Sequence, residues 1–416
     1  MIESDLNKVY INFDPLMPLP GDSEFYVERP NNPMNQMKTE LLRDSPRPPK
    51  FLFSGHRGSG KSTELNRLMV DREVQDRYLI VHYSIKEVLD VAGLEYTDVL
   101  FSIGAQVFIK ATEDGKLKLR RKLLDELNRW IGDTEIVKEE ISKEGAEVET
   151  QAGLSAFFIK VLGKLKVEYT SREKIRQTIK LRLSELINVI DLIIAEVELR
   201  AGKKVLVAIE DLDKPDLSDA RDLFYERQTS LTLPNCRIIY TVPIALLYSP
   251  DAGQVRQAFD RTFPLPNVTI AKREDRSPDE EGRAVMREFI AKRMSLDLIE
   301  EDALEHAIVV SGGVFREMAR IIRTAADNAI SRGEEKMQKR DVQRVESEIR
   351  NEFRRMLEAE DYDALKEIYQ KRDLTVIGSK ICAKLLHNLS ILEYQDDENW
   401  CDVHPAIIPL IEGEET

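Results

Sequence analysis

The 416-residue chain has only three cysteines, Cys236, Cys382 and Cys401, far apart and without Cys-x-x-Cys spacing. That excludes a disulfide framework and a thiolate metal site, and the expected setting is a reducing cytoplasm. Histidine is as scarce, at five residues. His82, His306, His387 and His404 share no metal-ligand spacing and are expected to pack or face solvent. Glycine and proline, at 19 and 17, are too few for a collagen-like or low-complexity chain. Long apolar runs are missing: the stretch Leu186 to Leu199 is broken by Asn188, Asp191, Glu196 and Glu198, and Met1 to Asp14 has no apolar signal core. Neither a membrane span nor a signal peptide is expected. Positive charge is also short, 61 Lys and Arg against 75 Asp and Glu, a net −14. The long-range field therefore repels polyanions, and nucleic acid would need a local basic patch.

What remains is a chain that is 42% hydrophobic and 33% charged, long enough for two to three domains at about 150 residues each. Residues 1–50 are rich in proline and asparagine, and Pro46, Pro48 and Pro49 stop any helix before the apolar run Phe51 to Ser54. Tyr78 to Tyr83, Lys203 to Ile209 and Arg237 to Val242 are further strand candidates, the last two with the continuous apolar character of strands buried on both faces. Between them Ile175, Ile179, Leu183, Leu186, Ile190, Ile193 and Val197 step by three and four. Thr170 and Glu173 form a candidate capping box and Gly202 a stop, so one long helix is expected. Strands alternating with helices predict a parallel α/β sheet. Beyond Asp275 strand signals vanish; helical periodicity covers 279–358, and 359–412 reads helix, helix, hairpin.

The strand at Phe51 runs into Gly55-His56-Arg57-Gly58-Ser59-Gly60-Lys61-Ser62-Thr63. Gly-x-x-x-x-Gly-Lys-Ser between a strand and a helix is the Walker A pattern. Its glycines let backbone N–H groups turn inward around phosphate oxygens; Lys61 would reach the β- and γ-phosphates and the Ser62 hydroxyl would join a Mg²⁺ shell. Arg57, Ser59 and Thr63 belong to the same loop, and His56 within it either packs or faces solvent like the other histidines or touches phosphate or a partner. A hard cation calls for carboxylates at the end of a neighbouring strand, and Glu210-Asp211-Leu212-Asp213 follows the run ending at Ile209. Glu210 would orient the metal and Asp211 the attacking water, or the reverse; the alternative is a solvated acidic turn.

On these residues the chain resembles the AAA+ and STAND P-loop ATPases, and most of all the origin-recognition-like clade with its winged helix. Phe25-Tyr26-Val27-Glu28-Arg29 looks like the clade's N-terminal box against adenine, which would involve Arg29. Thr241 looks like sensor 1, and Ser311-Gly312-Gly313-Val314-Phe315-Arg316 like sensor 2, with Arg316 near the γ-phosphate. Arg261 occupies the kind of place that holds an arginine finger for a neighbouring subunit, with Arg256 and Arg227 as rivals and a plain surface arginine as the alternative. Thr241 could equally be a plain β-branched residue and Arg316 a helix-face arginine like Arg320 and Arg323. The likeness covers roughly residues 20–350. Glu210-Asp211 reverses the family's Asp-Glu order, which leaves the two roles open and allows slow hydrolysis.

The resemblance implies a P-loop ATPase domain over 1–275 with a helical insertion at about 113–200, an all-α lid over 276–358 and a winged helix over 359–416. It also implies ATP and Mg²⁺ as cofactors, and a homo-oligomer or a protein effector as partner. The expected function is a Mg²⁺-dependent ATPase acting as a nucleotide-controlled switch or assembly factor, for example in a prokaryotic defence or signalling system. The alternatives are a DNA-loading or transposition-regulator ATPase and a non-hydrolysing ATP sensor. Within the insertion the acidic run Glu135 to Glu149 stands out. Gly153 to Gly163 reads as a packed core hairpin or a partner-binding helix, and Lys116 to Lys122 as a solvated basic face. The candidate recognition helix, about 378–389, carries Ser379, Lys380, Lys384, His387 and Asn388. The wing carries Asp396, Asp397 and Glu398, which is unfavourable against phosphates and points to protein contacts rather than DNA.

Overall fold

Five short apolar runs form one parallel sheet: β1 (Lys50–Gly55), β2 (Tyr78–Ser84), β3 (Lys204–Glu210), β4 (Arg237–Pro243) and β5 (Arg261–Leu265), in the order β2-β3-β4-β1-β5. The computed structural model describes residues 5–132 and 150–413. The acidic run Glu135 to Glu149, and Glu414 and Glu415 of the tail, lie outside the described residues. β1 and β4 are buried along their whole length, as strands covered by helices on both faces must be. β5 was not among the expected strands. It is short, holds Pro264, and pairs with β1 alone, and an edge is where a ladder tolerates a residue without an N–H.

The insertion covers one sheet face. The expected long helix is two, Tyr169–Leu181 and Leu183–Ala201, separated at Arg182, whose φ of −123° and ψ of 32° leave the helical region. The pieces meet different partners: the first lies on Gln151–Val167 and the second on Tyr96–Ile109. Gly202 ends the second in the left-handed conformation, as its place in the sequence predicts. Gly153 to Gly163 falls within the helix Gln151–Val167 rather than a hairpin, and Leu154, Phe158, Val161 and Leu162 are buried in the core beneath the sheet. Among the described residues no helix is long and apolar enough to cross a membrane. All three cysteines are free and buried.

Helices Glu280–Ala291, Glu301–Val310, Phe315–Ser331 and Lys339–Met356 form the lid. Helices Ala359–Lys371 and Ser379–His387 and the antiparallel pair β6 (Ile391–Gln395) and β7 (Asn399–Val403) form the winged helix. Lid and winged helix share one continuous core. Leu6, Val9 and Phe13, expected with the ATPase part, pack in that core too.

The winged helix is docked on the α/β half of the molecule. Helix Ser379–His387 lies against Ile244–Leu247, and the Glu393 main chain is bound on both sides. Its N–H donates to His56 Nε2 at 2.8 Å and its carbonyl accepts from the Asn267 N–H and Nδ2. The Glu393 carboxyl accepts from the Tyr248 hydroxyl and from Asn399 Nδ2, with Arg256 as the nearby cation. Burial pushes it up to about 7.

A carboxyl raised in the folded state favours folding fully below its ordinary value, and that stability is lost as pH rises through about 7. Glu393→Gln keeps an acceptor and removes the ionisation. We expect the variant to match wild type in thermal unfolding at pH 5 and to exceed it at pH 8 by ~1–3 kcal/mol. Equal stability at both pH values would contradict the burial argument.

Candidate functional site

A cavity of about 820 Å³ opens at the carboxyl ends of β1, β3 and β4, where a parallel α/β sheet places its ligands. The glycine-rich loop forms its floor. Gly58 and Gly60 take φ of +91° and +102°, values open to glycine and strained for other residues. Gly58 also has no room for a side chain, since a Cβ there would lie 2.6 Å from the Cβ of Arg316. The turn delivers Lys61, Ser62 and Thr63 to the first turn of helix Lys61–Val70, with its unpaired N–H groups and positive dipole end.

Arg29, Arg57, Gly58, Gly60, Lys61, Ser62, Thr63, Glu210, Asp211, Thr241 and Arg316 all line this cavity. Lys61 Nζ donates to the carbonyls of Gly55 and His56 at 2.9 and 3.0 Å and pairs with Asp213 Oδ2 at 2.9 Å. Glu210 Oε1 lies 2.5 Å from His82 Nε2. Asp211, at φ +65°, accepts from Ser84 Oγ at 2.6 Å and pairs with Lys86 and Lys214. Burial pushes the Asp211 carboxyl up, but the Ser84 and Lys86 hydrogen bonds and the two lysine charges outweigh it and hold it below the usual range. Ser62 Oγ and these carboxylates are hard oxygen donors facing one space. Among the described residues no group of three or more His, Cys, Asp or Glu is set to hold a metal by itself. A cation shared with phosphate oxygens and water needs only one or two carboxylates, so the donor set fits Mg²⁺ bound together with a nucleotide.

The remaining expected residues divide. Arg29 is buried beneath the loop, donating to the carbonyls of Ser59 and Pro266 and lying over the Phe315 ring; burial lowers its pKa. It ties the loop to β5 and to the lid. Arg316 reaches the loop through its own backbone, its N–H donating to the Gly58 carbonyl at 3.2 Å while Nε donates to Pro15. Gly55, His56 and Ser59 support the loop without lining the cavity. His56 points away from it, into the winged helix; burial first, and then the Lys61 charge, lower its pKa to about 3, so it is neutral. Arg261 stands at the exposed amino end of β5 beside Phe51, paired with Glu40 and Gln36, apart from the cavity of its own chain.

Sequence reasoning missed three contributors. Asp213, not Glu210 or Asp211, is the carboxylate on Lys61. His82 is the partner of Glu210. Asp14 to Pro20 form a wall, with Leu16 and Met17 as exposed apolar side chains beside Phe25 and Tyr26. Only the proline-rich composition of that segment hinted at a fixed, helix-free path.

Thr241 makes hydrogen bonds through its hydroxyl that a plain β-branched residue would not. Its Oγ1 accepts from the Leu212 N–H at 3.1 Å and donates to the Ile209 carbonyl at 3.2 Å, pinning the acidic turn after β3. A residue present only for its β-branched shape would tolerate valine. We expect Thr241→Val, which orphans a buried N–H, to lose ~1–3 kcal/mol in urea unfolding, and Thr241→Ser to recover most of it.

No family model matches the chain, and no curated protein matches it. Several solved structures resemble it over nearly its whole length. Cdc6p from Pyrobaculum aerophilum is 12% identical, with a TM-score of 0.41 over 94% of this chain and 98% of that one. The Aeropyrum pernix ORC1 protein in complex with DNA is 12% identical, with 0.42 over 98% and 96%. The RuvB Holliday junction branch migration motor of Thermotoga maritima is 11% identical, with 0.37 over 93% and 98%. The chain's own strand order and its glycine loop between β1 and the following helix establish a P-loop α/β fold of the AAA+ type.

Proposed function

We propose that the protein is a Mg²⁺-dependent ATPase that works as a nucleotide-controlled switch or assembly factor. The observation that carries this reading is the convergence of Lys61, Ser62, Glu210, Asp211 and Arg316 on one cavity floored by a left-handed glycine loop. Loop N–H groups and the helix start bind phosphate oxygens, Lys61 neutralises charge on the β- and γ-phosphates, and Arg316 faces them from the lid. Mg²⁺, held by Ser62 with Glu210 or Asp211, would neutralise further charge on the transferring phosphoryl group. The other carboxylate orients a water for in-line attack, and His82 sets the direction of Glu210. Phe25, Tyr26 and the Asp14 to Pro20 wall offer the apolar surface that a purine needs.

The switch reading rests on what grips the loop. His56 is bound by the winged helix, the Arg57 guanidinium lies 3.2 Å from His387 Nε2 of the same domain, and the lid hydrogen-bonds Gly58. Phosphates that reorganise the loop therefore act on both appended parts, and a separate effector or further copies of the chain would read the result. In such an assembly Arg261, exposed on its own chain, would leave Glu40 and Gln36 to serve a neighbour's site. The DNA-loading alternative gains no comparable observation. The face of helix Ser379–His387 is occupied by Ile244–Leu247, Lys384 is paired with Glu358 and Asp361, and the wing tip is acidic.

Lys61→Ala should abolish ATP binding measured by calorimetry; unchanged affinity would sink the site assignment. Glu210→Gln should retain binding and lose ~10²-fold or more in turnover, which also separates an ATPase from a non-hydrolysing sensor. For the switch, hydrogen exchange at Ile391 to Gln395 is expected to change when nucleotide is added to wild type and not to Lys61→Ala.

A further inference from the structure

Lys61 has three N–H donors, and each is used inside the protein. Two go to the carbonyls of Gly55 and His56, and the third to Asp213 Oδ2 at 2.9 Å. Both side chains of the ion pair are buried, at 8% and 6% exposure. The charge that the loop would offer to a phosphate is thus already met by a carboxylate.

Asp213 is not a side chain on a loose turn. Its neighbour Leu212 is fastened through its N–H to Thr241. Its own carbonyl and that of Lys214 accept from Arg57 Nη2 at 3.3 and 3.1 Å, and the Lys214 N–H donates to the Asp211 carbonyl. The turn is clamped on one side by β4 and on the other by the glycine loop itself. Burial pushes the Asp213 carboxyl up, but the Lys61 charge and hydrogen bond outweigh it and keep it ionised. A buried ion pair of this kind holds its members in one geometry, and losing one member leaves the other charge uncompensated.

We propose that Asp213 is a positioning residue that serves as an internal anion, holding the Lys61 ammonium against the loop and competing with phosphate for it. This deepens the nucleotide reading above and rests on it. A phosphate oxygen takes the place of Asp213 Oδ2 on Lys61 as it enters. Release of that carboxylate then reaches Glu210 and Asp211, because all three sit within four residues of one clamped turn, and reaches the loop again through Arg57. Nucleotide arrival and the setting of the acidic turn become one event.

The test is ADP affinity in EDTA, by calorimetry, so that no metal bridges the carboxylates. Asp213→Asn, which removes the competing charge and keeps the shape, is expected to bind ADP about tenfold more tightly than wild type. Asp213→Glu, which restores the anion, should return affinity toward wild type. A merely structural role would weaken binding instead. Asp213→Ser is the second variant should the asparagine form not fold. Affinity equal to or below wild type in a folded variant overturns the inference. So does a loss confined to Mg²⁺-ATP with ADP in EDTA unchanged, which would make Asp213 a metal-holding carboxylate. If wild type shows Lys61-dependent ATP binding in either of these cases, the inference alone fails. If wild type binds neither ADP in EDTA nor Mg²⁺-ATP, the nucleotide reading fails and takes the inference with it.

Discussion

A glycine loop that turns its N–H groups toward an anion leaves its carbonyls on the outside, and those carbonyls must find donors elsewhere. Much of this structure is organised around that requirement. The carbonyls of Gly55 and His56 are met by Lys61, that of Gly58 by the lid at Arg316, and that of Ser59 by Arg29 from the N-terminal segment. The loop's two long polar side chains that point outward, His56 and Arg57, are met by the winged helix and by the acidic turn. The N-terminal segment, the lid, the winged helix and the acidic turn therefore all touch the same five residues, Gly55 to Ser59. No separate relay between site and appended domains is needed.

The contacts differ in worth. Ion pairs on the wing, such as Arg273 with Glu398, are exposed and contribute ~0–1 kcal/mol each. They explain why an acidic wing is tolerated beside the basic residues 273 and 276, but they do not hold the domain in place. The continuous apolar core shared with the lid does that, and each fully buried Leu, Ile or Phe in it is worth ~1.5–3 kcal/mol. The polar residues at the dock, Glu393 and His56, are buried, and the penalty for breaking their hydrogen bonds without replacement fixes orientation more than affinity. Hence the core, which also takes in Ile244 and Ala245 after β4, holds the winged helix to both the lid and the sheet, and the His56 contact with the other polar contacts at the dock fixes its orientation.

What could be read from the sequence follows from how local each signal is. The loop, β1, β3 and β4 were legible because the chemistry that needs them lies within a few consecutive residues. The Ser311 to Arg316 stretch inside the lid was legible for the same reason, and the structure sets the Arg316 backbone against Gly58. β5 was not: five residues with a proline carry little strand signal, and only its place beside β1 makes them a strand. Asp213 was hidden by its neighbours, since three carboxylates within four residues cannot be ranked by spacing. The left-handed Asp211 turn alone sends the last of them to Lys61. The single long helix failed because apolar periodicity continues through Arg182 while the packing partner changes there. The net −14 likewise gave no view of the site, where Arg29, Arg57, Lys61, Arg316, Lys86 and Lys214 gather around the acidic turn.

The neutral state of His56 constrains how the loop can speak to the winged helix. With its pKa lowered to about 3, the ring stays neutral at physiological pH, so the contact cannot work as a charge switch. Its Nε2 accepts from Glu393, which places the ring proton on Nδ1, and only one orientation of the ring serves that bond. Gly55 and Gly58, both glycines with positive φ, lie on either side of His56 in the loop, where the backbone has the most freedom to turn. Breaking the His56 bond leaves the buried Glu393 N–H without its partner, at a cost of ~1–3 kcal/mol. In the proposed switch the coupling would therefore run through geometry rather than charge, while the Glu393 carboxyl, pushed up to about 7 by burial, tunes how firmly the domain rests on the loop.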